Sequence, residues 1–413
     1  MRALVFRYSL PRLAATKIAG SLSPRGYFGP WSSFRLEEVP GPQLPAGDWV
    51  IVRTKLAGIC GSDAKQVYLR GDRDNPLTAL ISFPHVLGHE ATGVVERAGP
   101  DVRALREGQR VVLNPWLSCA PRGFTEPCAN CRAGDYMLCE RFTEGRLPPS
   151  IHLGNCAAAG GAFAEMFAAH ESQCIPVPEG VTDEQAVLAD PFSVQLHGVL
   201  RNPPAEREPA LVYGCGTLGL MTVAMLRHLH PDTPVWAVAR HPHQAQAARD
   251  LGAHEVLPAG PAALVDAIAR LTGAGALRPW SGNDWLMRGP RVIYDTVGSP
   301  RSVETAMRIA APRGTIVISG VEAPRRFEWT PHYFKELTVV GSNAFGVEEF
   351  EGERAHAMAI YFKLARRGLD LSRLITHRYD LAQYREAFLA LRDHGRSRSI
   401  KAAFAFPQST ECD

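Results

Sequence analysis

The 413-residue sequence has little cysteine, no long run of charges of one sign, and no acidic residue before Glu37. A net charge of only +3, without a basic cluster, argues against a nucleic-acid partner. One long uncharged stretch, Pro209 to Leu226, contains three glycines and stops at Arg227. It is short for a membrane crossing, so a buried strand–turn–helix is the better prediction.

The amino-terminal segment is basic and acid-poor, which is the composition of a transit peptide. However, "MRALVF" already alternates like an opening β-strand, which a removable leader does not need. No short apolar core followed by a cleavage site is present, so we expect a cytoplasmic protein. In a reducing compartment, clustered cysteines indicate a metal site rather than disulfides.

The chain is too long for one compact core, so two domains are expected. Short alternating segments up to about residue 190 predict an antiparallel, mostly-β domain. From "ALVY" to "GTIVISG", apolar strands alternate with helix-length segments, which indicates an α/β domain with a parallel sheet. We predict a first domain over 1–191, a second over 192–340, and a return to the first over 341–413.

The sequence "GCGTLG" predicts a nucleotide-binding turn. Gly214, Gly216 and Gly219 directly follow the strand "ALVY" and directly precede the helix "LMTVAMLRHL". The first glycine suits the tight turn, the second lets pyrophosphate approach the backbone, and the third lets the helix pack on the sheet. The helix N-terminus then faces the phosphates, and Thr217 and Leu218 belong to the same predicted site. A glycine-rich loop without a ligand is the simpler alternative.

The next predicted strand ends with Ala239, Arg240 and His241. An NAD site usually has Asp or Glu there, which holds the ribose hydroxyls and repels a 2′-phosphate. A guanidinium instead suits a phosphate, so NADP(H) is favoured over NAD(H). The alternative is that Arg240 is an ordinary solvated arginine.

Two groups of residues have the chemistry of metal ligands. "CANCRAGDYMLC" holds Cys128, Cys131 and Cys139, which could be metal ligands, half of a disulfide set, or buried small side chains. The fragments "GICGSD", "LGHE" and "LADP" supply Cys60, His89, Glu90 and Asp190. Together these offer the sulfur, nitrogen and oxygen donors that a catalytic zinc uses.

With "VLGHEATGVV", "GGAFAE", "DTVGS" and "SIKAAF" added to these motifs, the chain resembles the zinc-dependent medium-chain alcohol dehydrogenases over nearly its full length. The sorbitol and threonine dehydrogenase branch is the most similar. The resemblance implies a GroES-like catalytic domain, a Rossmann domain, two zinc ions per chain and a homodimer or homotetramer. It also implies cofactor contacts at Thr296 and Val297, within "DTVGS".

The same resemblance implies roles for individual residues. Cys60 and His89 match ligands of the catalytic zinc. Glu90 matches a carboxylate that is a ligand in some relatives and a near neighbour of the zinc in others. Asp190 matches a further ligand position. Ser62 matches the hydroxyl that takes the substrate proton. Many relatives place a proton-relaying histidine five residues after the ligand cysteine, where this chain has Lys65. That lysine either relays the proton or contacts the cofactor.

The resemblance also implies a structural-zinc lobe at about residues 115–145. The cysteine cluster matches its zinc site, whose first ligand usually precedes Cys128 by two intervening residues. Position 125 is Thr, so Cys119 is the predicted fourth ligand, with "APRGFTEP" looped between. The longer loop adds little closure entropy. A three-cysteine or empty site is the alternative.

The predicted activity is interconversion of a small-molecule alcohol, of secondary or polyol type, and its carbonyl by hydride transfer. Zinc-free reductase activity, thiol-adduct oxidation as in formaldehyde dehydrogenases, and a non-catalytic binding protein are the alternatives. Residues 9–33 and 275–289 are predicted insertions. The first either covers the substrate cleft or serves assembly.

Overall fold

The computed structural model describes residues 1–71, 75–320 and 327–407. They form two compact units, one of Met1–Asp190 with the chain from Met358 onward, the other of Pro191–Ala357. The second unit thus extends to Ala357, beyond the predicted domain boundary at residue 340. Residues 341–357 belong to the second unit, because the β-hairpin formed by Val347–Phe350 and Glu353–His356 packs in that unit. Within that unit, His197 Nδ1 lies 2.6 Å from Glu348 Oε1.

The strands are numbered in chain order. They are β1 Arg2–Phe6, β2 Phe34–Glu38, β3 Trp49–Gly58, β4 His85–Val86, β5 Glu90–Ala98, β6 Arg110–Leu113, β7 Met166–His170, β8 Cys174–Pro176, β9 Ala210–Tyr213, β10 Val235–Ala239, β11 Glu255–Pro258, β12 Val292–Asp295, β13 Thr315–Ile318, β14 Thr338–Gly341, β15 Val347–Phe350, β16 Glu353–His356, β17 Ile375–Tyr379 and β18 Lys401–Ala405.

The α-helices are numbered in the same way. They are α1 Leu10–Leu22, α2 Gly61–Val67, α3 Ala129–Ala133, α4 Asp183–Val187, α5 Ala189–Arg201, α6 Thr217–Leu229, α7 Pro242–Asp250, α8 Pro261–Thr272, α9 Pro300–Ile309, α10 Thr330–Phe334, α11 Ala357–Arg366, α12 Tyr384–Arg392 and α13 His394–Ser397. Short 3₁₀ turns occur at Pro24–Phe28, Pro76–Leu80, Tyr136–Leu138, Glu171–Gln173, Ser372–Leu374 and Leu381–Gln383.

The first unit is built on a seven-stranded sheet in the order β17-β18-β3-β5-β6-β8, with β7 also paired to β3. Strand β3 is its ten-residue centre, and its apolar side chains, such as Trp49 and Val52, are fully buried. Strand β18 pairs antiparallel with β3, so the carboxyl-terminal part of the chain completes the first unit. A separate three-stranded sheet has the order β2-β1-β4.

The second unit contains a six-stranded, fully parallel sheet in the order β11-β10-β9-β12-β13-β14. Counted from β9, this order is 3-2-1-4-5-6, the doubly wound nucleotide-binding order, with its switch point between β9 and β12. Every residue of Ala210–Tyr213 is buried, as expected for a strand covered on both faces. The predicted mixture of a β-rich domain and a Rossmann-type domain is confirmed.

The uncharged stretch from Pro209 to Leu226 forms β9, a turn and most of α6. Among the described residues, no helix is both long enough and apolar enough to cross a membrane.

The predicted insertion at residues 9–33 forms α1 and the turn Pro24–Phe28 within the first unit. Its inner side packs beside the end of α2, where the rings of Tyr27 and Tyr68 meet edge-on with centroids 5.0 Å apart. Its outer side leaves Ile18 and Trp31 exposed. The insertion therefore packs on the helix that follows Cys60, while its effect on substrate choice stays a prediction. Residues 275–289 include a backbone pair between Leu277 and Trp285.

Candidate active site and metal centres

The pairing of β3 with β5 brings the first group of predicted ligands together. Cys60 follows the end of β3, Glu90 begins β5, and Gly58 is the register partner of Glu90. A Cβ at Gly58 would lie 2.2 Å from the Glu90 carboxylate, so only glycine leaves room for that side chain. One ligand atom each from Cys60, His89 and Glu90 lies within 4.8 Å of the others.

Asp63 holds both Cys60 and His89 in place. One of its carboxylate oxygens accepts the backbone N–H of Cys60 at 2.9 Å, and the other lies 3.4 Å from Nδ1 of His89. Burial alone would raise the pKa of Asp63, but the His89 imidazole lowers it. A carboxylate on the outer nitrogen of a ligand histidine is typical of metal sites, because it fixes the ring and leaves Nε2 for the ion.

Glu90 is neutralised by a lysine from the distant end of the chain. The Lys401 ammonium contacts Glu90 Oε2 and also donates to the backbone carbonyl of Ile59 at 3.1 Å. Both side chains are almost fully buried, 1% exposed for Glu90 and 3% for Lys401. A buried charge needs a partner of opposite sign. Lys401 supplies that partner for Glu90, which is one of the two carboxylates predicted as zinc ligands.

The other carboxylate, Asp190, lies in the first turn of helix α5 and is buried. Its Oδ2 has no hydrogen-bond partner among the described residues. Burial and the nearby Glu90 raise the pKa of Asp190 to about 8. Asp190 lies outside the 4.8 Å group formed by Cys60, His89 and Glu90. A buried carboxylate near the His89 imidazole, with one oxygen that has no hydrogen-bond partner among the described residues, fits a divalent cation such as zinc.

The four cysteines of the second group meet in one buried cluster. Sγ atoms of Cys119, Cys128, Cys131 and Cys139 all lie within 4.8 Å of one another. The Cys119 and Cys139 sulfurs are 3.6 Å apart, too far for a disulfide and close to the roughly 3.8 Å between ligands of a tetrahedral zinc–thiolate centre. The residues fit a closed structural zinc site. Cys156, Cys174 and Cys215 lie elsewhere as buried free thiols, and Cys412 is outside the described residues.

The long spacing between Cys119 and Cys128 carries a buried arginine. Arg122 is 1% exposed, and its guanidinium donates to the backbone carbonyls of Leu117, Glu144, Leu147, Pro148 and Ser150 and to the Ser150 hydroxyl, at 2.7–3.1 Å. These carbonyls come from both sides of the cysteine cluster. The segment between Cys119 and Cys128 therefore supplies a side chain that hydrogen-bonds to the backbone both before and after the four cysteines.

The glycine-rich turn of the second unit has the geometry that its sequence indicates. Gly214 has φ +97°, where a side chain would be strained. A Cβ on Gly216 would meet nothing within 4 Å, so this backbone is open to a ligand. A Cβ on Gly219 would lie 1.7 Å from the Gly214 carbonyl oxygen, so α6 packs against the turn only with glycine there. Thr217 and Leu218 form the first turn of α6.

Thr296 and Val297 lie beside this turn. The Thr296 hydroxyl is 3.1 Å from the carbonyl oxygens of Tyr213 and Gly214, and a Cβ on Gly214 would touch Val297. Buried Asp295 accepts the backbone N–H groups of Val297 and Gly298, which fixes the loop after β12. The structure thus brings both predicted cofactor residues to the switch point of the sheet.

Ala239 and Arg240 lie at the carboxyl end of β10, next to that switch point. Arg240 is exposed, and no ion pair or hydrogen bond joins its side chain to another residue in the described part of the chain. The rings of His241 and His243 stack just beyond it, with centroids 5.7 Å apart. This end of the strand carries a cationic group without an adjacent carboxylate in the sequence, which suits a phosphate.

Ser62 and Lys65 are both half-buried on α2, the helix that starts directly after Cys60. Their spacing of three residues places them on the same side of the helix. Lys65 has interactions of its own and is not a free ammonium group.

Comparison with known proteins gives the family. Residues 46–179 match the family model described as alcohol dehydrogenase GroES-like domain, and residues 217–358 match zinc-binding dehydrogenase. The chain belongs to the zinc-dependent medium-chain alcohol dehydrogenases, on the sorbitol and threonine dehydrogenase-like branch.

Individual relatives are distant but span most of the chain. An L-threonine 3-dehydrogenase from Legionella pneumophila (strain Corby) is 28% identical over 86% of this chain and 92% of its own length. A probable D-xylulose reductase A from Aspergillus terreus is 27% identical over 77% of this chain and 82% of its own. The crystal structure of 2R,3R-butanediol dehydrogenase from Bacillus subtilis has a TM-score of 0.68 and 25% identity, and covers 91% of this chain and 96% of its own.

Sequence reasoning missed three residues that hold the two clusters in place, Asp63, Arg122 and Lys401. It also missed His152, whose ring centroid lies 4.6 Å from that of His89. Asp63 could have been found, because it lies three residues after Cys60 in "GICGSD". Lys401 stands in the quoted "SIKAAF", but the sequence gives no sign of its partner. Arg122 and His152 have no local signal, since the groups they contact converge only in the fold.

Proposed function

We propose that this chain is a zinc-dependent dehydrogenase that interconverts a secondary, polyol-like alcohol and its carbonyl with NADP(H). The observation that carries the proposal is the cluster of Cys60, His89 and Glu90, with Asp190 nearby, whose Oδ2 has no hydrogen-bond partner among the described residues. The relatives named above act, by their names, on threonine, xylulose and butanediol. Each of these compounds carries further polar groups around its reacting centre.

The metal and the protein have separate tasks in this proposal. Zinc supplies Lewis acidity that makes the substrate hydroxyl more acidic. Cys60 and His89 would hold the ion, with Asp190 as the third protein ligand, because Glu90 is already paired with Lys401. Asp63 fixes the His89 ring, and Lys401 keeps Glu90 from presenting an uncompensated charge to the substrate.

The reaction removes one proton and one hydride from the alcohol. Ser62 takes the hydroxyl proton, and Lys65, on the same side of α2, passes it towards solvent. A bound nicotinamide would supply the hydride acceptor, so that the alcohol carbon loses a hydride as its hydroxyl loses a proton. Gly214, Gly216 and Gly219 would hold the cofactor pyrophosphate at the N-terminus of α6, whose free N–H groups favour negative charge. Carbonyl reduction runs these steps in reverse.

The preference for NADP(H) is proposed from Arg240. Its exposed guanidinium, at the end of β10 and without a hydrogen-bond or ion-pair partner among the described residues, is available to a 2′-phosphate. Losing such a charge-assisted contact costs roughly 10- to 100-fold in affinity. Arg240→Asp should therefore lower kcat/KM for NADP⁺ by about that factor and leave the value for NAD⁺ less affected. Arg249→Asp, an exposed arginine on α7, is the matched control. Equal losses with both cofactors would contradict the assignment.

A panel of secondary alcohols and ketones, assayed with NADP(H) and NAD(H) before and after chelation, tests the activity. Oxidation or reduction that disappears with the metal supports the proposal. Activity that requires added glutathione would instead indicate thiol-adduct oxidation. No turnover on any member of the panel, by protein that contains zinc, would favour a binding protein. A small-molecule substrate and a dimeric or tetrameric assembly remain predictions from the family resemblance.

A further inference from the structure

Three buried polar side chains of the second unit form a hydrogen-bonded triad that has no role in the scheme above. Thr222 lies on α6, Gln195 on α5, and Ser319 directly after β13. They are 0%, 3% and 9% exposed respectively. The Thr222 hydroxyl donates to Oε1 of Gln195 at 2.9 Å, and Nε2 of Gln195 donates to Oγ of Ser319 at 3.0 Å. One buried amide therefore connects a helix with a loop that is far from it in the sequence.

The Thr222 end of the triad lies on the helix that opens the candidate cofactor site. The same Thr222 hydroxyl is 2.9 Å from the carbonyl oxygen of Leu218, in the first turn of α6. That turn directly follows Gly216, where the backbone is open to a ligand. Gln195 is therefore tied to the part of the second unit that is proposed to hold the pyrophosphate.

The Ser319 end of the triad lies in a loop that touches the other cofactor loop. A Cβ on Gly320 would be 2.1 Å from the carbonyl carbon of Val297, and a Cβ on Gly298 would be 2.2 Å from the carbonyl oxygen of Gly320. The N–H groups of Ser319 and Gly320 also donate to the Asp295 carbonyl, at 3.0 and 3.2 Å. The loops after β12 and β13 thus meet through their backbones, so the position of one determines the position of the other.

These two ends belong to different halves of the parallel sheet. A doubly wound sheet consists of two mononucleotide-binding halves, and a dinucleotide lies across the switch point between them. Helix α6 and strand β10, which carries Arg240 at its end, belong to the half proposed for the adenosine. The nicotinamide then falls to the half that contains β12, β13 and the loops that follow them. The triad connects the helix of the first half with a loop of the second.

A purely structural role for this amide is the simpler explanation. A buried network with its hydrogen bonds made holds the elements it joins in one arrangement. If that arrangement serves only the packing of the unit, losing the amide should lower stability and affect both halves of the cofactor alike. If it serves the site, the loss should affect the half of the cofactor that lies on the loops after β12 and β13.

We propose that Gln195 is a positioning residue for the nicotinamide half of the cofactor. By holding Ser319, it keeps the loop after β13, and with it Val297, at a fixed place relative to the first turn of α6. Loops that are already ordered bind a ligand at a lower entropic cost. This inference rests on the proposed function and extends it from the glycine-rich turn to the residue that orders the other half of the site.

Titration calorimetry with two ligands tests the inference. NADPH has both halves of the cofactor, whereas 2′,5′-ADP has the adenosine and its 2′-phosphate but no nicotinamide. Gln195→Leu removes both hydrogen bonds of the amide at similar volume. Ser319→Ala removes only the bond to the loop, and it provides the test if Gln195→Leu folds poorly. Thr272→Val is the control in the same unit, because the Thr272 hydroxyl bonds to the Ile268 carbonyl within α8.

The two ligands should respond differently. We expect the Kd for NADPH to rise about tenfold in Gln195→Leu and in Ser319→Ala, which is the scale of one or two hydrogen bonds, and the Kd for 2′,5′-ADP to stay within about twofold. Thr272→Val should change neither value. The fluorescence of bound NADPH, which reports the surroundings of the reduced nicotinamide, should differ from that of the unaltered protein in the first two variants and not in the control.

Two results would overturn the inference. Equal weakening of both ligands would show that the triad supports the unit as a whole, and unchanged binding of NADPH in both variants would show that the loop does not depend on Gln195. Failure of the proposed function gives a different result, because the unaltered protein would then bind neither NADPH nor NADH. Binding of NADH in preference would contradict the NADP(H) assignment alone, and the same comparison would then use NADH and AMP.

Discussion

Replacing Arg122 should destabilise the lobe that holds the four cysteines, although Arg122 is not part of the active-site cluster. Arg122→Met keeps a long apolar side chain but removes all the guanidinium donors. At least three fully buried carbonyls, those of Leu117, Leu147 and Ser150, then lose a donor. A buried acceptor without a partner costs about 1–3 kcal/mol. The substitution also removes a buried positive charge, whose desolvation is unfavourable, and this offsets part of the loss. The expected net cost to the stability of the lobe is about 3 kcal/mol.

Hydrogen exchange over residues 115–150 measures this cost directly, because it reports the local opening of a lobe rather than global unfolding. A loss of about 3 kcal/mol corresponds to exchange roughly 100-fold faster. Zinc release to a chelator should accelerate in parallel, since the lobe holds all four thiolates. Arg132→Met is the control, because Arg132 is exposed in the same lobe and its guanidinium hydrogen-bonds, within the described part of the chain, only to the Pro127 carbonyl. Exchange and zinc release unchanged in Arg122→Met would refute this account of the lobe.

Three further substitutions test separate parts of the site. Lys401→Met leaves Glu90 buried without its partner and should destabilise the first unit by about 3–5 kcal/mol, measured by urea unfolding; a midpoint equal to that of the unaltered protein would contradict the ion pair. Asp63→Asn should weaken zinc binding about 10- to 100-fold in dialysis, because His89 loses its anionic partner, and unchanged affinity would count against that role. Gly219→Ala should abolish NADP(H) binding by calorimetry, since its Cβ meets a backbone oxygen; retained binding would show that the turn can open.

The features that the sequence predicts well are those whose causes are local. The roles of Gly214, Gly216 and Gly219 follow from their order between one strand and one helix, and the structure has the strain, open space and close packing that each role requires. The cysteine cluster is also mostly local. Cys119 is assigned by chemistry rather than by spacing, and its sulfur does lie with the other three.

The features that the sequence does not predict depend on contacts between distant parts of the chain. Lys401 reaches Glu90 across 311 residues, because β18 pairs with β3 in the middle of the sheet. The sequence prediction ends the second domain at residue 340, because the strand-like residues after β14 resemble the first domain. In the structure residues 341–357 belong to the second unit, where Glu348 contacts His197. His152 becomes notable only when its ring is found beside His89.

The metal content of the purified protein tests the central claim most directly. Elemental analysis of protein prepared without chelator should give close to two zinc ions per chain, one at Cys60 and His89 and one at the four cysteines. Cys119→Ser should lower the value towards one and leave the site at Cys60 and His89 loaded. A protein that contains no zinc, and binds none when zinc is supplied, would contradict both sites and the dehydrogenase mechanism that depends on the first.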